Sequence, residues 1–144
     1  MASLETEFRD DLAGLIAAEI QSAKVHSVYY EVPDISNLKP GVLEVYVFPG
    51  PRVVVAADRV GSEVRITCYA HLIQKLPVSG ARGQRIDELM QAAGDLEKAI
   101  ANSELPFVGF DDGETGRQPY DVERLASQSC FATTLSPTFV TLVE

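Results

Sequence analysis

From Ser62 to about Lys75 the chain alternates between apolar and polar residues. Val64, Ile66, Cys68, Ala70 and Leu72 fall on one side; Arg65, Thr67, Tyr69 and His71 fall on the other. A helix would scatter the two sets around its circumference, whereas a strand sends successive side chains to opposite faces. The chain is thus committed to a sheet built around one long strand, with an apolar face that other elements must cover.

Two amphipathic helices are available to cover it. The first is expected from about Leu4 to Lys24, with Phe8, Leu12, Leu15, Ile16 and Ile20 on one stripe and Arg9, Asp10 and Glu19 off it. Ser3 is placed to cap its start, and Glu5 and Glu7 sit where the helix dipole favours negative charge. The second is expected from about Arg85 to Asn102, with Ile86, Leu89, Met90, Ala93, Leu96 and Ile100 on its apolar face. Gly94 inside it costs roughly 1 kcal/mol against alanine and marks a candidate point of close packing.

Shorter strands read from Ser27 to Tyr30, Val42 to Phe48 and Arg52 to Ala57, the last two separated by Pro49-Gly50-Pro51. Proline donates no ladder hydrogen bond, so that tripeptide should interrupt pairing. The residues from Glu31 to Gly41 and from Asp58 to Gly61 are turn formers. The stretch from Pro77 to Gln84 reads as a mobile loop, and Glu104 to Pro119 as a long turn-rich connection. Asp121 should cap a short helical turn over Val122 to Ala126. Gln128 to Val143 reads as strand, with an edge position, a bulge or a break at Pro137. The expected fold is α+β: a mainly antiparallel sheet with two helices packed on one face, in one domain spanning residues 1–144.

A chain of 144 residues buries enough surface for one core without disulfides or metal. Its 46% hydrophobic and 23% charged content is that of a folded globular protein. The net charge of -9, from 21 acidic and 12 basic residues, argues against a phosphate-gripping groove and against anionic membranes. No apolar run approaches the ~18 residues of a membrane span. The acidic, amphipathic start is unlike a signal peptide. Cys68 and Cys130 lie in β-like stretches and are expected to be buried free thiols in a reducing compartment.

Motifs for chemistry are sparse. There is no nucleotide-binding loop: Gly80-Ala81-Arg82-Gly83 lacks the Lys-Ser/Thr pair that would hold phosphate and magnesium. There is no Gly-x-Ser-x-Gly elbow. His26 and His71 have no catalytic partner nearby in sequence, so no triad is expected. Asp111-Asp112-Gly113-Glu114 places three carboxylates within reach of a divalent cation, but without the ligand spacing of a calcium loop. The expectation is therefore no catalytic residue, no cofactor and no metal. Arg82 and Arg85 are the candidate contacts to a partner.

Four stretches, taken together and in order, resemble the tail terminator (tail completion) proteins of long-tailed bacteriophages and related minor tail proteins. They are Tyr30-Glu31-Val32-Pro33-Asp34-Ile35-Ser36-Asn37-Leu38 with Leu43 to Pro49; Arg59 with Val64 to Ala70 and Gln74-Lys75-Leu76; Ile86-Asp87-Glu88-Leu89; and Tyr120 to Leu125 with Phe131 and Pro137-Thr138-Phe139. The likeness spans about residues 27 to 142. It implies a virion structural protein, not an enzyme, assembled in the host cytoplasm. It further implies a homo-oligomeric ring, typically a hexamer, that caps the tail tube, stops the tube protein polymerising and joins the tail to the head connector. DNA would pass through the lumen without specific binding. Two other readings are another head–tail junction protein, such as an adaptor, stopper or head-completion protein, and a small metal-dependent hydrolase using residues 111–114.

Overall fold

The computed structural model describes residues 3–30, 37–57, 61–77, 82–113 and 116–143, without the side chains of residues 55–57. Among these residues the order is α1 (Leu4–Glu19), β1 (Lys24–Ser27), β2 (Glu44–Ala57), β3 (Ser62–Lys75), α2 (Arg82–Ala101), β4 (Phe107–Phe110), α3 (Val122–Gln128), β5 (Cys130–Leu135) and β6 (Pro137–Val143). Six strands form one mixed sheet in the order β1-β2-β3-β6-β4, with β5 also paired to β3. The expectation of two helices and a mainly antiparallel sheet needs two corrections. Among the described residues there are three helices, and β1 pairs parallel to β2, Lys24 opposite Glu44.

The alternating segment is β3, with the bounds read from the sequence. It is long enough to take two partners on one side. β5 pairs with its Ala70–Lys75 half and β6 with its Ser62–Thr67 half, Ser136 making the joint between them. The break foreseen at Pro137 is this handover. The interruption at Pro49-Gly50-Pro51 is milder than expected: β2 runs through it with a register shift between Pro49 and Arg52. Gly50 is needed there, because a Cβ would lie 2.6 Å from the Tyr69 ring and 2.7 Å from the Thr67 carbonyl oxygen.

α1 begins where expected, the Ser3 hydroxyl accepting from the Thr6 N–H at 3.1 Å. It stops at Glu19, short of Lys24. The apolar stripe ends at Ile20, and Val25 then packs against the core from a strand whose first N–H donates to the Leu43 carbonyl. Arg9, read as lying off the buried stripe, is 7% exposed. Its guanidinium donates to the Val28 carbonyl at 3.2 Å, pairs with Asp10 and lies over the Tyr29 ring. α2 starts at Arg82, so the last residues of the expected loop from Pro77 to Gln84 are helical; residues 78–81 lie outside the described residues. Gly94 is not a close-packing point, since nothing lies within 4 Å of a Cβ built there.

The main core joins Phe8, Leu12 and Ile16 of α1 and Leu89, Ala93, Leu96 and Ile100 of α2 to one face of the sheet. Each leucine, isoleucine or phenylalanine among them, fully buried, is worth about 1.5–3 kcal/mol. Phe139 is fully buried in it, stacked on Phe8 at 5.4 Å and edge-on to Phe107 at 6.4 Å. A second, smaller cluster lies on the opposite face: Leu38, Ile73, Cys130 and Ala132, with Tyr46 against them.

Candidate functional site

Two regions stand out: a polar cleft along β5, and a bare stretch of sheet at the far end of the β2–β3 hairpin.

The cleft, about 690 Å³, lies between the end of β4, the segment 116–121, α3 and β5. Asp121 caps α3, its carboxylate accepting from the Arg124 N–H at 3.1 Å, and Ser129 closes that helix in the left-handed conformation. The foreseen helical turn is thus a helix extended to Gln128. Arg117 reaches across to α2, its Nη2 donating to Glu97 at 2.8 Å and its Nη1 to the Thr133 hydroxyl at 2.8 Å. Thr133 in turn donates to the Gln118 carbonyl. His71 Nδ1 is 2.9 Å from the Thr134 hydroxyl, and Nε2 is 3.5 Å from Arg124 Nη1. An arginine only donates, so this arrangement fits the proton on Nδ1, donated to Thr134. These polar groups are largely spent on one another, which ties α2, α3 and β5 together.

Of the acidic loop, Asp111 is exposed and its N–H donates to the Ser136 carbonyl. Burial and the Glu97 carboxylate push the Asp112 carboxyl up, against the pull of Arg117. Glu114 lies outside the described residues. Among the described residues no three His, Cys, Asp or Glu side chains gather as a metal-holding group.

The two candidate contact residues lie elsewhere. Arg82 opens α2. Arg85 is engaged within the chain, donating to Glu88 at 3.0 Å and to the Gln74 side-chain oxygen at 2.8 Å. Gln74 is fully buried, and its amide nitrogen has no hydrogen-bond partner among the described residues. His26 does find a partner in space: Nε2 is 3.1 Å from Glu44, and the ring stacks on Tyr46. Parallel pairing of β1 with β2 creates that contact, and 18 residues of separation hid it. Burial of the thiols pushes Cys68 up to about 12 and Cys130 upward, so both are poor nucleophiles.

The bare stretch is the outward face of β2, β3, β6 and β4 where they run past α3 and the smaller cluster. Val53 stands opposite Arg65, which stands opposite Val140; Leu142 stands opposite Glu63. Val53 is 53% exposed, Val108 47% and Leu142 78%. A shallow groove of about 380 Å³ runs between Val53, Arg65, Thr67, Val108 and Thr138. Sequence reading missed this patch because alternation marks two faces of a strand without saying which stretch of either goes uncovered.

No family model and no curated protein matches this chain. Among solved structures it is similar to a chain described as "Virion of native gene transfer agent (GTA) particle". The match has 16% identity and a TM-score of 0.44, over 96% of this chain and 92% of that one. At that level the likeness carries no argument about function.

Proposed function

We propose that this protein is a structural subunit that assembles with its own copies, and specifically a tail terminator of a long-tailed bacteriophage. Its task is to form a ring, a hexamer, on the end of the tail tube, to stop the tube protein adding further, and to present a surface to the head connector. The observation that carries the self-assembly is the exposure of Val53, Val108 and Leu142 on the outward face of the sheet. Apolar side chains gathered on an uncovered sheet face and edge are what an assembling subunit presents and a solitary monomer avoids. The tail-terminator assignment rests on the four stretches of sequence resemblance. The net charge of -9 suits a lumen that DNA passes without adhering, through like-charge repulsion.

On this reading the protein is no enzyme and holds no cofactor. The polar cleft fits, since its arginines are paired internally. Arg82 and Arg85 at the start of α2 serve as contacts to a neighbour or to the tube. An adaptor, stopper or head-completion role shares the ring habit and differs in partner.

The test is light-scattering chromatography and negative-stain microscopy, with and without assembled tail tubes. Rings, or caps on tube ends that halt elongation, are expected. Binding to portal or connector but not to tubes would favour the other junction roles. A monomer that ignores both would overturn the proposal. Titration with calcium and magnesium addresses the hydrolase alternative: saturable binding lost in Asp111→Asn would favour it.

A further inference from the structure

Part of the sheet is unpaired at both of its edges among the described residues. β1 covers only Glu44–Val47 of β2, so from about Phe48 to Ala57 the outer edge of β2 has no strand partner among the described residues. On the other side the sheet ends at β4, whose outer edge is likewise unpaired among them. The far half of the sheet is thus four strands, β2-β3-β6-β4, open at both edges. Each edge has an exposed apolar residue on the same outward face, Val53 on β2 and Val108 on β4.

Strand direction and charge favour joining one edge to the other. β2 is antiparallel to β3, β3 to β6 and β6 to β4, so β4 runs opposite to β2. Rotation about an axis along the strands leaves every direction unchanged. β4 of one copy therefore meets β2 of the next in antiparallel sense, and the contact repeats around the axis. From Phe48 to Ala57 the only charge is Arg52, which pairs with Glu5 on the helix side, and this edge carries no acidic residue. From Glu104 to Asp112 the chain carries Glu104, Asp111 and Asp112 and no basic residue. A β2–β4 junction sets the acidic flanks of β4 against an edge without acidic residues. A two-fold β4–β4 junction sets acid against acid, which disfavours it.

We infer that the copies join head to tail, the unpaired edge of β2 in one copy pairing with the outer edge of β4 in the next, so that the sheets run on continuously around the ring. This rests on the self-assembly reading and adds to it the surface, the partner strand and the symmetry. Ladder hydrogen bonds supply the affinity, and Val53 and Val108 pack against each other over the junction.

Cysteine crosslinking of the full chain tests it. Both sites are exposed, so Val53→Cys and Val108→Cys should leave the fold intact, to be checked by circular dichroism. The native thiols are buried and serve as a silent background. Under mild oxidation the double variant is expected to give a ladder of multimers on a non-reducing gel. Mixing the two single variants is expected to give a dimer, and neither single variant alone should do so. Dimers from one single variant alone would mean a two-fold contact and overturn the inference. Rings or tube caps without any crosslink would overturn the edge pairing and leave the ring standing. A monomer under every condition, with tubes present, would remove the ring and the pairing with it.

Discussion

The two halves of β3 have the same alternating pattern and different fates. In the half paired to β5, both faces are covered: Leu72 looks into the main core, while His71 and Ile73 are buried on the opposite face. In the half paired to β6, Val64 and Ile66 are buried on the helix side, but Arg65 on the other face is exposed. Burial on a second face requires a second layer, and α3 with the segment at Leu38 supplies it at one end of the sheet only. The comparison separates a half built for stability from a half left available for contact.

That separation can be broken most directly at Phe139. It lies in the contact half but faces the helices, so Phe139→Ala is expected to cost about 3–5 kcal/mol in denaturant unfolding. A loss under about 1 kcal/mol would mean that the helix-side core does not extend under the contact half. Ile73→Ala probes the second layer. A loss of about 2–4 kcal/mol is expected, because the side chain is fully buried in the smaller cluster. If it were nearly neutral, the two halves would not differ in the way described.

Gly94→Ala addresses the helix cover shared by both halves. With open space at the Cβ, a gain of up to about 1 kcal/mol is expected, read as a higher midpoint in denaturant. Destabilisation instead would point to close packing after all. Leu142→Ala should change stability by less than about 0.5 kcal/mol while weakening assembly on tubes. An equal effect on both would make the patch structural.

The pH-dependent effect belongs to Glu5, which pins the start of α1 to Arg52 of the contact half at 3.1 Å. Its backbone hydrogen bonding and Arg52, outweighing some burial, hold its carboxyl below the usual range. A lowered folded-state value stabilises above the ordinary carboxylate range and loses that contribution as pH falls through it. Glu5→Gln should therefore cost up to about 1 kcal/mol near neutral pH, and the gap to the parent should close in acid. A gap that persists in acid would assign the effect to helix capping geometry rather than charge.

The sequence alone determined what periodicity and local chemistry can encode. β3 was legible to the residue because alternation is a local property of extended chain. The cap at Ser3, the cap at Asp121 and the joint before Pro137 were legible because each depends on neighbouring backbone groups. The inert character of Cys68 and Cys130 followed from their place in apolar strands. Only the tertiary structure decided the parallel pairing of β1, the burial of Arg9, the bridge from Arg117 to Glu97 and the meeting of His26 with Glu44. Those contacts join residues far apart in the chain, and no local pattern specifies them. The open edges of β2 and β4 belong to the same class. Whether a strand is an edge depends on what does not pair with it, and that is a property of the whole sheet.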